Sequence, residues 1–319
     1  MRVSFFLGVL FFLAVPTQAQ PSDLTTFSLL RLEPSARAAA LGGSFSAVYG
    51  DDVNVLFYNP AGLNESTHGA LSLSYLNHLS DLNAGFIAYS RHVEGIGSLG
   101  AGLRFLDFGE LERADENGER SGTFGASNVV LTLGGARAYR EHVRYGVNVH
   151  ALVSSIDVHR ASALALDLGG LYTIPSQRLT FSLSVNNLGV TLSSLGATRD
   201  ALPLDVRVGV AKRLRYLPLL LSLTGYNLQD PGGGLQNATG LNTVLQHFAL
   251  GGELQFSEAF NLRFGYNHRR HEDLKTSSRL DLAGVGLGFG IKIARVGFDY
   301  AFNSWSFAGL HQFTLRTRL

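Results

Sequence analysis

From residue 70 onward the chain alternates between apolar and polar or small positions. Leu179, Phe181, Leu183 and Val185 are separated by Thr180, Ser182, Ser184 and Asn186. Leu99, Ala101, Leu103 and Phe105 are separated by Ser98, Gly100, Gly102 and Arg104. The same period runs through Tyr145–Val153, Leu204–Val210, Phe248–Phe256, Leu262–Tyr266, Val296–Phe302 and Phe313–Leu319. A period of two belongs to a strand whose side chains point alternately to opposite faces. Only the run at 82–93 carries large residues at both parities.

Counting the runs gives about fourteen strands, each near the ~9–11 residues that cross a bilayer at a tilt. Short links near 94–97, 139–143, 175–178, 214–218, 257–260 and 292–295 alternate with longer polar links at 110–124, 189–203, 227–243 and 268–281. Two further links on the long-loop side, near 78–82 and 303–308, are short. Short periplasmic turns alternating with longer external loops are the pattern of an outer-membrane barrel. A soluble β-sandwich would also alternate, but it hides its apolar face between two sheets of limited area. Here nearly every run carries aromatic or branched residues along one whole face, which suits lipid. The sequence therefore predicts an all-β, 14-stranded antiparallel transmembrane β-barrel over residues 70–319, with outer-membrane lipid around it. An unpaired strand edge is costly in hydrocarbon, so the last run, 309–319, should close onto the first, 70–77.

The stretch GVGLGFGIKI, residues 284–293, has the spacing of a nucleotide-binding loop, but no helix follows it. Gly284, Gly286, Gly288 and Gly290 instead alternate with bulky apolar residues, as one face of a strand. Facing inward, that glycine row would let another segment approach the wall, or would simply relieve crowding.

Composition narrows the function classes. The 319 residues include 37 glycines and no cysteine, only 16% are charged, and the net charge is +1. Disulfides, thiolate metal sites and cysteine nucleophiles are excluded, and nothing in the charge favours nucleic acid. Arg2 precedes an apolar run from Phe5 to Val15, and Thr17-Gln-Ala19 supplies small residues, so 1–19 is expected to be a cleaved signal peptide. No later segment has the ~20 apolar residues of a membrane-spanning helix.

Residues 20–69 lack the alternation. SARAAALGG, Ser35–Gly43, suggests a short helical turn or tight coil; GDDVNVLFYNPAGL, Gly50–Leu63, places Asp51 and Asp52 for turn hydrogen bonds. Asn59-Pro60 fixes a turn, with Ala61 and Gly62 after it. Polar and rich in turn residues, this segment is expected to form an N-terminal hatch inside the barrel, docked on the glycine row.

SARAAALGG followed by DDVNVLFYNPAGL resembles the N-terminal pattern of the FadL-type outer-membrane barrels, whose hatch carries an Asn-Pro-Ala motif, here Asn59, Pro60 and Ala61. With Leu71–Asn77, Tyr89–His92 and Lys212-Arg-Leu, the mature chain resembles the branch of that superfamily found in the type IX secretion system. The resemblance implies a fourteen-strand barrel with a hatch. It also implies that the barrel anchors a PorZ-like soluble surface protein within an attachment complex containing a sortase.

Chemistry is sparse. No GxSxG elbow occurs, His268-Arg-Arg-His271-Glu272 fits a charged solvated loop better than a metal site, and no enzyme, metal or cofactor is expected. The inferred inner face mixes signs: Arg104, Asp167, Asp205, Arg207, Glu253, Arg263, Asp299 and Arg316. Such charges more naturally pair with each other and with the hatch than form a selective ring. If a partner docks outside, the loop residues Leu195, Gln229, Asp230, Pro231, Arg269 and Arg270 are the candidates. The alternative function is a FadL-like transporter of hydrophobic small molecules. It predicts an apolar pocket near the hatch and a gap in the wall, for which a kink in the strand at 98–109, with Gly100, Gly102 and Gly109, is the candidate.

Overall fold

The chain is described here by a computed structural model covering residues 26–77, 82–114, 119–196, 200–232, 240–275, 282–305 and 308–319. The expected signal peptide, 1–19, and hatch residues 20–25 lie outside this set, as do 78–81, 115–118, 197–199, 233–239, 276–281 and 306–307.

Fourteen antiparallel strands form one closed barrel in which each strand pairs with its neighbours in sequence. They are β1 (Ala70–Asn77), β2 (Asn83–Val93), β3 (Gly97–Ala114), β4 (Arg120–Arg140), β5 (Val143–Ile156), β6 (His159–Ile174) and β7 (Leu179–Ser193). After them come β8 (Asp205–Arg213), β9 (Leu219–Gly225), β10 (Phe248–Gln255), β11 (Phe260–Asn267), β12 (Val285–Ile293), β13 (Val296–Trp305) and β14 (Ala308–Arg318). The ring closes between β1 and β14, in register from Ala70 opposite Arg318 to Asn77 opposite His311. Closure leaves no strand edge to face hydrocarbon without a backbone partner.

The alternation places side chains as expected. Leu133, Val149 and Leu183 on the outer face are 57%, 51% and 55% exposed, whereas Thr132, Asn148 and Ser184 on the inner face are buried. Tyr139, Tyr145 and Tyr172 stand exposed near the short-turn end, the position of an interfacial aromatic girdle. The run at 82–93 is β2: Ala84, Phe86 and Ala88 point inward and are buried, while Ile87 points out.

Two expectations are corrected. The link expected at 110–124 is mostly strand, because β3 and β4 continue their ladder to Ala114 opposite Arg120. The inner face is not uniformly polar or glycine. Leu76, Phe86, Leu106, Val130 and Leu152 form an apolar layer on β1–β5, filled by Phe27, Leu29 and Leu30. Alternation shows which residues share a face, but not whether that face meets water or another segment of chain.

The wall is uneven. β3 to β7 run for 14 to 21 residues, whereas β8 to β12 run for only 7 to 9. With the short turns 94–96, 141–142, 214–218 and 294–295 at the periplasmic end, the extracellular rim is high on one side and low on the other.

Candidate functional site

Residues 26–69 pack within the ring. Ser35 accepts from the backbone N–H of Ala38 and caps a single helical turn, α1 (Ala36–Ala40), whose residues are all buried. Short side chains let α1 lie against β11 to β14, and the Ala36 N–H donates to Thr314 Oγ1 at 2.9 Å. Asp52 opens a 3₁₀ turn over Val53–Phe57: its Oδ1 accepts from the Asn54 backbone N–H at 3.0 Å and from Asn54 Nδ2 at 2.9 Å. Asn59 opens a second turn, Pro60–Gly62, with its Oδ1 accepting from the Ala61 N–H at 3.1 Å. Asn59 Nδ2 donates across to the Gly170 carbonyl on β6 at 3.1 Å. Pro60 suits the first helical position because its missing N–H would have no partner there. Gly62 packs on Val55 so closely that a Cβ would collide. Asp51 stays exposed and lines a cavity at the periplasmic rim beside Arg316.

A buried ion-pair network joins plug to wall. Arg37 donates from Nε and Nη2 to Glu253, and from Nη1 to Asp52 at 3.3 Å. Glu253 also receives Arg263 Nε at 2.7 Å, and Arg263 Nη1 reaches Asp299 at 2.6 Å. Arg316 pairs with Asp299 and lies 3.7 Å from Asp52. Opposite signs are thus balanced in a closed, water-poor interior, where an unpaired charge would be severely destabilising. A second buried group lies across the barrel. His150 is held between Thr132 at 2.8 Å and Asp167 at 2.6 Å, and Asn148 joins Asp167 to the Leu56 carbonyl. Arg104 lies over the Phe57 ring, 4.6 Å from its centroid.

The glycine row serves in part as expected. A Cβ on Gly286 or Gly288 would press on Ala39 or Ala40 of the plug. Gly290 instead leaves room for the Arg263–Asp299 pair. Gly284 is not in the strand: it has φ +77° and packs under His271 before β12 begins. The closest approaches fall on glycines the spacing did not single out. Gly265 meets the Leu41–Gly42 backbone, and Gly146 and Gly169 meet Asn59–Ala61. In sequence these glycines carry no pattern of their own, and they become distinguishable only once strand pairing brings them opposite the plug.

Above the plug, at the low side of the rim, lies a cavity of about 440 Å³. Leu30, Glu33 and Gly43 of the plug form its floor, and Asp205, Arg207 and Tyr226 line its sides. Burial pushes the Tyr226 hydroxyl up to about 12, against the opposing effect of its hydrogen bond to Asn267. The helical turn α2 (His268–Leu274), capped by Asn267, carries Arg269 and Arg270 to the cavity wall. Arg270 reaches down to Glu33 at 3.4 Å and Asn303 at 3.3 Å, and Arg269 pairs with Asp273.

These placements change the reading of the outer loops. Arg269 and Arg270 line the vestibule instead of forming an outward docking face. Leu195 folds inward over the apolar layer. Gln229 is stitched to β8, accepting from the Val206 N–H at 2.9 Å and donating to Leu204, while the Pro231 carbonyl receives His247. Asp230 closes a turn onto Asn227. No gap opens at 98–107: β3 pairs without interruption with both β2 and β4, and the first irregularity comes at 107–110, beside Gly109. Gly100 and Gly102 receive Leu56, Leu63 and Phe57 of the plug. A different irregularity lies between β6 and β7, where Asn187, at φ +62°, donates its N–H to Asp167. Among the described residues no group of three or more His, Asp or Glu converges on a metal-sized site.

No family model and no curated protein matches the chain. Solved structures do. The toluene transporter TodX of Pseudomonas putida superposes with a TM-score of 0.54 at 13% identity, over 89% of this chain and 96% of that one. The monoaromatic hydrocarbon channel CymD gives 0.53 at 11% identity, over 89% and 97%. A FadL homologue of Pseudomonas aeruginosa gives 0.50 at 9%, over 88% and 97%. At such identities the likeness is one of fold, and with the apolar outer belt it places the chain as a bacterial outer-membrane β-barrel of FadL-like architecture.

Proposed function

We propose that this barrel is an outer-membrane channel for small apolar or amphipathic molecules, with residues 26–69 as its gate. The observation that carries this reading is continuity. Leu30 belongs both to the floor of the extracellular cavity and to the apolar layer of Phe86, Leu106, Val130 and Leu152. The cavity has the size of a small-molecule site. A molecule entering at the low rim meets Leu30, and displacing Phe27, Leu29 and Leu30 opens an apolar path beside the plug. TodX and CymD, of the same architecture, are a toluene transporter and a monoaromatic hydrocarbon channel, which supports this class of cargo. The reading requires no catalysis and no cofactor. It is tested by uptake of labelled toluene into cells carrying the barrel: wild type exceeds the empty vector, and Leu30→Trp, which blocks the floor, returns uptake to the vector level. Wild-type uptake no faster than vector refutes it.

A second reading is favoured by the buried ion-pair network, which holds the plug shut, and by the tall β3–β4 ladder above the membrane. It is the role implied by the resemblance to PorQ of the type IX secretion system, in which the barrel anchors a PorZ-like surface protein beside a sortase. Copurification of surface proteins with the tagged barrel, with 227–243 or 268–281 deleted in parallel, tests it. Loss of a specific surface protein from a barrel that still closes supports anchoring.

A further inference from the structure

We infer that the periplasmic corner between β7 and β8 is a binding site for the phosphate headgroup of an anionic phospholipid. A cavity of about 280 Å³ there is lined by Ser176, Gln177, Arg178, Lys212, Arg213 and Arg215. Four of the six are cationic and none is acidic. Arg213 donates to Gln255, but among the described residues Arg178, Lys212 and Arg215 make no ion pair and no side-chain hydrogen bond. This contrasts with Arg37, Arg263 and Arg316 of the interior network, each of which faces a carboxylate.

Three features point to lipid as the occupant. Lys212 continues the outward row of Val208 and Val210 and pairs across to Leu179, so its stem leaves the apolar belt at the headgroup level. A lysine there extends its ammonium to the interface while its methylenes stay in hydrocarbon. Next to the cluster, Tyr216 is 91% exposed and Leu217 is also exposed, an amphipathic aromatic and an aliphatic at the depth where acyl chains give way to headgroups. Arg178 takes a left-handed backbone conformation, φ +51°, after a turn begun by Pro175, and its carbonyl accepts from the Arg213 N–H. That bond fixes the two cationic segments side by side. The periplasmic leaflet of an outer membrane is made of glycerophospholipids, and clustered arginine and lysine at a membrane surface recognise their anionic members. A second cavity on the same rim is also basic, with Lys292, Arg295, Arg316 and Arg318, but it contains Asp51, and Arg316 is already engaged by Asp299.

The test is lipid retention by the full-length barrel, read by native mass spectrometry in micelles doped with phosphatidylglycerol or with phosphatidylcholine. Wild type retains phosphatidylglycerol in preference to phosphatidylcholine. Lys212→Gln/Arg215→Gln lowers that retention about ten-fold, whereas Lys292→Gln/Arg295→Gln, which removes the same charge elsewhere on the rim, leaves it within about two-fold. Both variants are first checked for the closed barrel by their heat-dependent gel mobility; Lys212→Arg/Arg215→Lys, which keeps the charge, serves as a second variant and retains the lipid. Equal losses in the two neutralised variants overturn the site, because the attraction is then diffuse. Displacement of phosphatidylglycerol by equimolar inorganic phosphate overturns the lipid as its occupant.

Discussion

Arg37 of the plug grips Glu253 of β10 through two parallel hydrogen bonds, Nε to Oε2 at 2.7 Å and Nη2 to Oε1 at 2.8 Å. Both side chains are almost wholly out of solvent. Paired, bidentate charges in such surroundings fix orientation, and removing one partner strands the other. Arg37→Ala should therefore loosen the plug by about 3–5 kcal/mol without opening the barrel, whose ladder it does not join. Hydrogen exchange should rise across 35–42 while the amides of β10 remain protected. Unchanged exchange in that segment would mean that the pair contributes nothing to docking.

Steric access offers an independent handle on the same contact. A side chain on Gly265 would overlap the Leu41–Gly42 backbone. Gly265→Val should displace α1 from the wall while β11 keeps its pairing with β10 and β12. The expected result is protease cleavage near 36–43 in a barrel that still migrates as a closed form. Gly297→Ala, at a position where a Cβ makes only ordinary contacts with Arg316, should leave cleavage unchanged.

The outer face predicts a position-dependent cost. Leu183 lies on the outward row of β7 and Ser184 beside it points in. Leu183→Arg should destabilise the folded barrel in lipid by about 2–4 kcal/mol if it sits near the midplane. Equilibrium folding into vesicles measures this. A cost near zero would place the residue at an interface or in water.

Tyr226 connects the vestibule to alkaline pH. Its hydroxyl is pushed up to about 12 from an ordinary value of 10.0, so the fold favours the protonated form. The associated stability is complete below pH about 10 and is lost as pH rises through about 12. Ultraviolet titration should show one tyrosine ionising near 12 that is missing in Tyr226→Phe. If the two titration curves coincide above pH 11, the burial of this hydroxyl is not as described.

Much of the architecture was legible because lipid imposes a rule at every residue. Leu99 and Gly100, or Leu183 and Ser184, must face opposite ways whatever else the protein does, so the strand number and the inward set from Arg104 to Arg316 follow from period, and closure follows from the cost of an open edge in hydrocarbon. What occupies the interior obeys no such rule. Phe86 looked ambiguous because the chain itself supplies its partners, Phe27, Leu29 and Leu30, from more than fifty residues away. Gly146 and Gly265 gave no signal, since their contacts exist only after the ring has formed. Arg269 and Arg270 looked solvent-bound because a polar helical turn aimed into a cavity has the same composition as one aimed into water.

Two contacts tie the N-terminal segment to the strand that closes the barrel. The Ala36 N–H meets Thr314, and Arg316 reaches Asp52, so two points of the N-terminal segment rest on the very last strand. These contacts of Ala36 and Asp52 exist only when β14 is in place, and β14 is also the strand that closes the ring onto β1. The seam of the wall and the seat of its stopper are thus the same strand, so a defect in β14 is felt in both.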